Sequence, residues 1–262
     1  MQAIRDLDLL IKAAQAAGDI ATGYFHGQNQ VWDKPDGAGP VTEADLAVDK
    51  MLRETLLDAR PDYGWLSEET EDTSDRLHKD RVFIVDPIDG TRSFVEGAST
   101  WAHSLAISER GIVTAAVVFL PVLGKLYAAA KGEGATLNGV VMRPEWLARV
   151  GKASVLATRP TMDEKHWPGG IPDIDRHHRP SLAYRLCLVA EGRFDAMLTL
   201  RQSWEWDIAA GELILSEAGV TVTDQIGGPL RFNNPHPQTN GVVAAGRGFH
   251  ADLVDRLNAG SE

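Results

Sequence analysis

The chain has 262 residues, 44 % hydrophobic and 24 % charged, with 25 glycines and 13 prolines; this globular composition excludes disorder, collagen-like repeats and coiled coil. Its one cysteine, Cys187, excludes a disulfide framework and any cysteine-ligated zinc or iron–sulfur centre. A formal net charge of −11 argues against binding nucleic-acid polymers, which are gripped by clustered Lys and Arg, and suits a chain that holds multivalent cations. No apolar run reaches the roughly 18 residues of a membrane span, and Met1-Gln2-Ala3-Ile4-Arg5-Asp6 lacks the form of a signal peptide. The expected setting is cytoplasmic, with no membrane partner.

Ile4, Leu7, Ile11, Ala14, Gly18, Ala21 and Phe25 recur every three or four residues, which predicts an amphipathic helix. The run 33–40 is too rich in Pro and Gly to be anything but a loop. A second helix is predicted from about Thr42, burying Ala44, Ala47, Val48, Met51 and Leu52 and closing at Arg60-Pro61-Asp62. Short apolar runs at 82–85, 105–107, 113–119 and 126–130, separated by turn residues, read as strands of one sheet. Leu156 opens a further strand, and a polar stretch with His166, His177 and His178 follows. A helix over 181–191, a strand over 194–199, a helix over 208–218 and strands at 220–222 and 242–245 complete the alternation. Two α/β parts are expected, 1–148 and 149–262, without a flexible linker or internal repeat.

The strongest local signal is Asp86-Pro87-Ile88-Asp89-Gly90-Thr91, directly after the apolar strand at 82–85. Carboxylates at a strand end can hold hard cations, and Gly90 lets the backbone come close to a ligand. Alone, this is also the form of an ordinary Asp-rich turn. Ser67-Glu68-Glu69-Thr70 is by itself a solvated acidic pair, and Thr42-Glu43-Ala44-Asp45 is a helix capping box. Asp207, in Trp204-Glu205-Trp206-Asp207-Ile208-Ala209-Ala210-Gly211, reads as an N-cap, but a carboxylate beside indole rings is costly unless a cation balances it. The small residues after it require the helix start to pack closely on a neighbour.

In this order, Val41-Thr42-Glu43-Ala44-Asp45, Ser67-Glu68-Glu69, Asp86-Pro87-Ile88-Asp89-Gly90-Thr91 and Trp206-Asp207-Ile208-Ala209-Ala210-Gly211 resemble the inositol monophosphatase superfamily of magnesium-dependent, lithium-sensitive phosphatases. Leu137-Asn138-Gly139, Cys187-Leu188-Val189-Ala190-Glu191-Gly192 and Glu217-Ala218-Gly219 add weaker matches. The resemblance implies the layered αβαβα sandwich shared with fructose-1,6-bisphosphatases, with most metal ligands in 1–148 and with 149–262 closing the active site. It implies two or three Mg2+ per active site, a small phosphorylated metabolite as substrate, and a homodimer. By the family's pattern Glu68, Asp86 and the Ile88 carbonyl bind the first magnesium, and Asp86, Asp89 and Asp207 the second. Asp45 and Thr91 match the pair that polarises the attacking water, with Glu68 beside them. Asp89, Gly90, Thr91 and Asp207 face the substrate.

For the substrate itself, inositol monophosphatases place a glutamate where this chain has Thr199 or Leu200. Before their Cys-Leu-Val-Ala-Glu-Gly, CysQ-type 3′(2′),5′-bisphosphate nucleotidases carry Gly-Ser-Ser-Leu-Lys; here the segment is Ser181-Leu182-Ala183-Tyr184-Arg185. Arg185 keeps a cation suited to a second phosphate, so the expectation is hydrolysis of adenosine 3′,5′-bisphosphate. Inositol 1-phosphate, histidinol phosphate and fructose 1,6-bisphosphate are the alternatives, and a non-catalytic binding protein on the same fold is the reading from another class. A dehalogenase-type aspartyl nucleophile is disfavoured, because Asp86 and Asp89 stand three apart rather than two. Trp65, Trp101, Trp204 and Trp206 are expected in core or pocket wall, Cys187 as a buried small hydrophobe, and His177 and His178 away from any metal.

Overall fold

The computed structural model describes residues 1–25, 27, 29–35, 39–144 and 152–260. Five layers alternate. Helices α1 (Gln2–Tyr24) and α2 (Glu43–Ala59) cover one face of a seven-stranded sheet. That sheet runs in the order β3 (Gly64–Ser67), β4 (Arg81–Asp89), β5 (Ala102–Glu109), β6 (Ile112–Leu120), β7 (Lys125–Ala130), β8 (Ala135–Leu137), β9 (Val140–Val141). Only β3 and β4 pair in parallel; the rest is an antiparallel meander. Helices α4 (Leu182–Ala190) and α5 (Glu205–Glu217) fill the middle layer.

Beyond them lies a five-stranded sheet, β11 (Ile174–His177), β10 (Ala153–Leu156), β12 (Ala196–Trp204), β14 (Gln238–Ala245) and β13 (Thr221–Thr223), with α6 (Arg247–Asn258) outside it. Three hydrophobic clusters fill the three kinds of interlayer space, the largest lying around α4 and α5 between the sheets. This is the αβαβα sandwich expected from the motifs. The part boundary expected near 148 lies outside the described residues. Among those described, no helix is long and apolar enough to cross a membrane.

Several elements differ from the sequence reading. The buried stripe of α1 is Asp6, Leu10, Ala13, Ala14, Ala17, Gly18 and Ala21, so Ile4 faces solvent. The small residues set this rotation: a Cβ at Gly18 would lie 2.6 Å from Phe119 Cε1, and bulkier positions of the helix are pushed to the flank. Leu156 ends β10 rather than opening it, and the polar stretch after it contains β11 and two 3-10 turns. Helix α5 begins at Glu205, three residues early, so Asp207 is in its first turn and Trp204 is the N-cap. The buried Glu205 carboxylate explains the early start, since it accepts from the backbone N–H groups of Asn233 and Asn234 and from Asn234 Nδ2.

Candidate active site

Strand β4 delivers two carboxylates to one place. Its ladder with β5 is regular from Arg81↔Glu109 to Asp86↔Ser104 and then slips, so that Asp89 faces Ala102. That slip is a bulge of one extra residue, which turns two side chains three apart in sequence toward the same side. His103 lies opposite the bulge, fully buried, with Nδ1 bonded to the Pro87 carbonyl. A carbonyl only accepts, so Nδ1 carries the proton; burial lowers the ring's pKa to about 4 and keeps it neutral.

Asp207 arrives from the middle layer. Helix α5 is held to the first sheet by the Ser104 hydroxyl, which donates to the Trp206 carbonyl at 2.8 Å, and its first turn is anchored by Glu205 to the loop at 233–234. The close packing required by the small residues is real: a Cβ at Gly211 would lie 2.5 Å from Leu186 Cδ1 of α4. One carboxylate oxygen from each of Asp86, Asp89 and Asp207 lies within 4.8 Å of the others. Burial raises the pKa of all three, and for Asp86 and Asp207 the negative neighbours Glu68 and Asp89 raise it further. Asp86 Oδ1 is buried without a hydrogen-bond partner. An all-oxygen, anionic cluster with an unsatisfied lone pair suits a hard divalent cation such as Mg2+.

Asp45, in the first turn of α2, serves two partners. Its Oδ2 closes the capping box, accepting from the Thr42 N–H at 2.8 Å and the Thr42 hydroxyl at 2.6 Å. Its Oδ1 lies 3.2 Å from Thr91 Oγ1, which is also 3.1 Å from the Ile88 carbonyl, so two acceptors compete for one hydroxyl proton. Burial raises Asp45's pKa to about 6, against the hydrogen bonds from Thr42.

Glu68 lines the same cleft but stands outside the three-carboxylate cluster. Its Oε1 is held by Lys34 Nζ at 2.7 Å, and the same ammonium meets Glu69 Oε1 at 2.6 Å. One turn beyond Asp45, Asp49 accepts from Ser67 Oγ at 2.5 Å and Thr70 Oγ1 at 2.7 Å, fixing the segment that carries both glutamates.

The opposite wall comes from α4 and β12. Asp89 sits over the start of α4: Oδ2 accepts from Ser181 Oγ at 2.6 Å and Ala183 N–H at 2.7 Å, and Oδ1 from Leu182 N–H at 3.2 Å. Gly90 turns the chain at φ 100°, a backbone conformation that side-chain-bearing residues rarely adopt. Arg185 is 8 % exposed and lines the cleft; only its Nε has a hydrogen bond among the described residues, to the Ser181 carbonyl at 3.4 Å. The cleft, about 390 Å³, is completed by Arg201 and His178.

Sequence reasoning missed Lys34, His103 and Arg201. His178, expected to be structural or solvent-exposed, is exposed just past the end of β11 and borders the cleft, where desolvation and Arg185 lower its pKa. His177 instead bonds Asp175 and packs on Phe194. Trp101 is core, Trp206 is buried, and Trp204 stacks on it at 4.8 Å while 38 % exposed. Cys187 is buried in α4 as expected.

Comparison with known proteins agrees with this geometry. An inositol-1-monophosphatase of Rhizobium meliloti (strain 1021) is 34 % identical over 235 residues, covering 85 % of this chain and 86 % of that protein. A histidinol-phosphatase of Mycobacterium tuberculosis (strain ATCC 25618 / H37Rv) is 34 % identical over 271 residues, 97 % of this chain and 98 % of its own. The crystal structure of extragenic suppressor protein suhB from Bartonella henselae superposes with a TM-score of 0.80 at 28 % identity, covering 98 % of this chain and 99 % of that one. With residues 5–260 matching the pattern of the inositol monophosphatase family, the chain belongs to that family.

Proposed function

We propose that this protein is a magnesium-dependent phosphomonoesterase acting on a small polyol phosphate, with inositol 1-phosphate as the reference substrate. The observation that carries the chemistry is the buried cluster of Asp86, Asp89 and Asp207 with its unpartnered oxygen. Those three would hold one cation, and Glu68, Asp86 and the Ile88 carbonyl another, for two or three Mg2+ in all. Bound magnesium supplies neutralisation of the phosphoryl oxygens and a lowered pKa for water. Asp45 Oδ1 draws the Thr91 hydroxyl proton toward itself, which leaves the Thr91 oxygen to accept from the attacking water. The backbone at Gly90 and Thr91 approaches the phosphate, and Arg185 faces the rest of the substrate.

Among the named relatives, the Rhizobium protein supports inositol 1-phosphate. A second reading, the 3′(2′),5′-bisphosphate nucleotidase expected from the sequence, is favoured by Arg185 and Arg201 with His178 on the substrate side of the cleft. Thr199, at the position where inositol monophosphatases place a glutamate that contacts inositol hydroxyls, is buried in β12, and Arg201 of the same strand lines the cleft instead, which counts toward this second reading. These arginines count against histidinol phosphate, whose amine is a cation.

The test is phosphate release with magnesium from inositol 1-phosphate, adenosine 3′,5′-bisphosphate, histidinol phosphate and fructose 1,6-bisphosphate. The highest kcat/KM on inositol 1-phosphate upholds the first reading, and the highest on the bisphosphate nucleotide the second. No release from any would favour a binding or regulatory role on this fold. Light scattering of the purified protein tests the homodimer that we also propose.

A further inference from the structure

Lys34 follows β1 (Val31–Asp33), whose pairing with β2 (Pro40–Thr42) brings it to the mouth of the cleft, and its N–H bonds the Gly39 carbonyl at 2.8 Å. Its ammonium sits on two adjacent carboxylates, 2.7 Å from Glu68 and 2.6 Å from Glu69, with side-chain exposures of 14 %, 24 % and 5 % for the three groups. An exposed pair of this kind contributes little, but these groups are sheltered and the two contacts share one cation. Glu68 bears on the whole site: its charge is among the causes that raise the pKa of Asp45, Glu69, Asp86 and Asp207. Arg185 and Arg201 act at the other end of the cleft, on Asp89 and Asp207. Lys34 therefore balances the Glu68 end.

We propose that Lys34 is a built-in counter-cation: in the metal-free protein its ammonium holds the Glu68 carboxylate, and a divalent cation entering at Glu68 takes that carboxylate from it, leaving the ammonium on Glu69. This rests on the reading of Glu68 as a cation ligand. The exchange has two opposed consequences. Lys34 lowers the affinity of the Glu68 position for a divalent cation, because the incoming ion must displace a charge of its own sign. Lys34 also stabilises the metal-free protein, where Glu68 and Glu69 would otherwise repel each other unpaired.

The experiment is calorimetric titration of magnesium into the metal-free full chain, with thermal unfolding in chelator and in saturating magnesium. Wild type is compared with Lys34→Met, Lys34→Gln and Lys34→Arg, and Glu68→Gln identifies the binding step that depends on Glu68. Lys34→Met should bind magnesium at that step at least about fivefold more tightly. It should melt lower than wild type in chelator, with the difference shrinking at saturating magnesium. Lys34→Arg should stay near wild type on both measures. Lys34→Gln, which keeps a donor for Glu69, should shift in the same direction as Met and serves if the Met variant does not fold.

Unchanged or weaker binding by the Met and Gln variants overturns the proposal. So does a melting loss that persists undiminished in saturating magnesium, which would assign Lys34 to the fold. A wild type that binds no magnesium defeats the proposed function itself. A wild type that binds with all Lys34 variants alike defeats only the counter-cation.

Discussion

The Ser181 hydroxyl donates to Asp89 Oδ2 at 2.6 Å, joining the end of β4 to the start of α4 across 92 residues of chain. Ser181 holds this position at φ 60°, outside the usual range for a serine, while its Oγ also accepts from the Tyr184 N–H as the helix cap. Asp89 is thus both a candidate metal ligand and the anion at a helix N-terminus, where exposed N–H groups and the dipole favour negative charge. Asp86, three residues earlier on the same strand, has no such support for Oδ1.

That contrast predicts opposite effects of two similar substitutions on the metal-free protein. Asp86→Asn removes an ill-supported buried carboxylate and should raise stability at alkaline pH, where the native state must hold it ionised. Asp89→Asn loses charge-assisted bonds from Ser181, Leu182 and Ala183 and should lower it by about 1–3 kcal/mol. Crowding alone would have both relieve repulsion. Urea unfolding in chelator measures the two signs, and both variants should lose turnover.

Asp45→Asn should slow the reaction by about 100-fold or more while leaving magnesium affinity close to wild type, because its oxygens face Thr42 and Thr91 rather than the carboxylate cluster. A fall in affinity to match the rate would make Asp45 a ligand. Its pKa of about 6, raised by burial, sets a direction for the pH profile. In the proposed role Asp45 acts ionised, so log(kcat/KM) should fall as pH drops below about 6, and this limb should vanish in the Asn variant.

The strand-end carboxylates were legible because they stand in one short run after an apolar strand, and the α2 cap because its box is local in sequence. The fold's two-sheet plan followed from the motifs, with most strands and helices in place. Arg201 was not legible: β12 shifts register between Thr199 and Gln202, and a bulge leaves no mark in alternating hydrophobicity. Lys34 lay in a segment readable only as Pro- and Gly-rich loop, and its partners are 34 and 35 residues away. Helix α6 escaped because charged residues interleave its apolar positions Phe249, Leu253, Val254 and Leu257.

His103 makes an acid-sensitive contribution to the fold. Its ring is fully buried and neutral, with a pKa lowered by burial to about 4 from the 6.5 of an ordinary histidine. Between these values the unfolded chain binds a proton that the native one refuses, so this ring's contribution to stability is complete above about pH 6.5 and declines toward pH 4, opposite in sign to that of the buried carboxylates whose pKa is raised. The loss reaches about 3 kcal/mol at most. His103→Asn keeps a donor for the Pro87 carbonyl but forfeits ring contacts with Trp101 and Phe119. Urea unfolding from pH 7 to 4.5 should show it less stable at neutrality, with the gap to wild type narrowing as pH falls.

Arg185 decides between the two substrate readings. It is almost wholly buried, close enough to Asp89 and Asp207 to feel their charge, and its terminal nitrogens are unpaired among the described residues. Its free donors lie on the cleft lining, where a substrate anion can replace the water that reaches them. If the substrate brings a second phosphate, Arg185→Ala should cost about 1.5–3 kcal/mol in kcat/KM on adenosine 3′,5′-bisphosphate, the range for a hydrogen bond to a charged group. It should leave inositol 1-phosphate nearly unaffected. Equal losses on both would mean that Arg185 serves the reacting phosphate, or holds Asp89 and Asp207 in place. Arg201→Ala tests the second phosphate independently of Arg185. Arg201 is exposed and lines the same cleft from β12, where it can offer a second anionic group its charge. A loss on the bisphosphate alone from Arg201→Ala, with magnesium affinity unchanged, would place the second phosphate on this wall whatever Arg185 does. No loss from either substitution on the bisphosphate would return the cleft to the polyol phosphates.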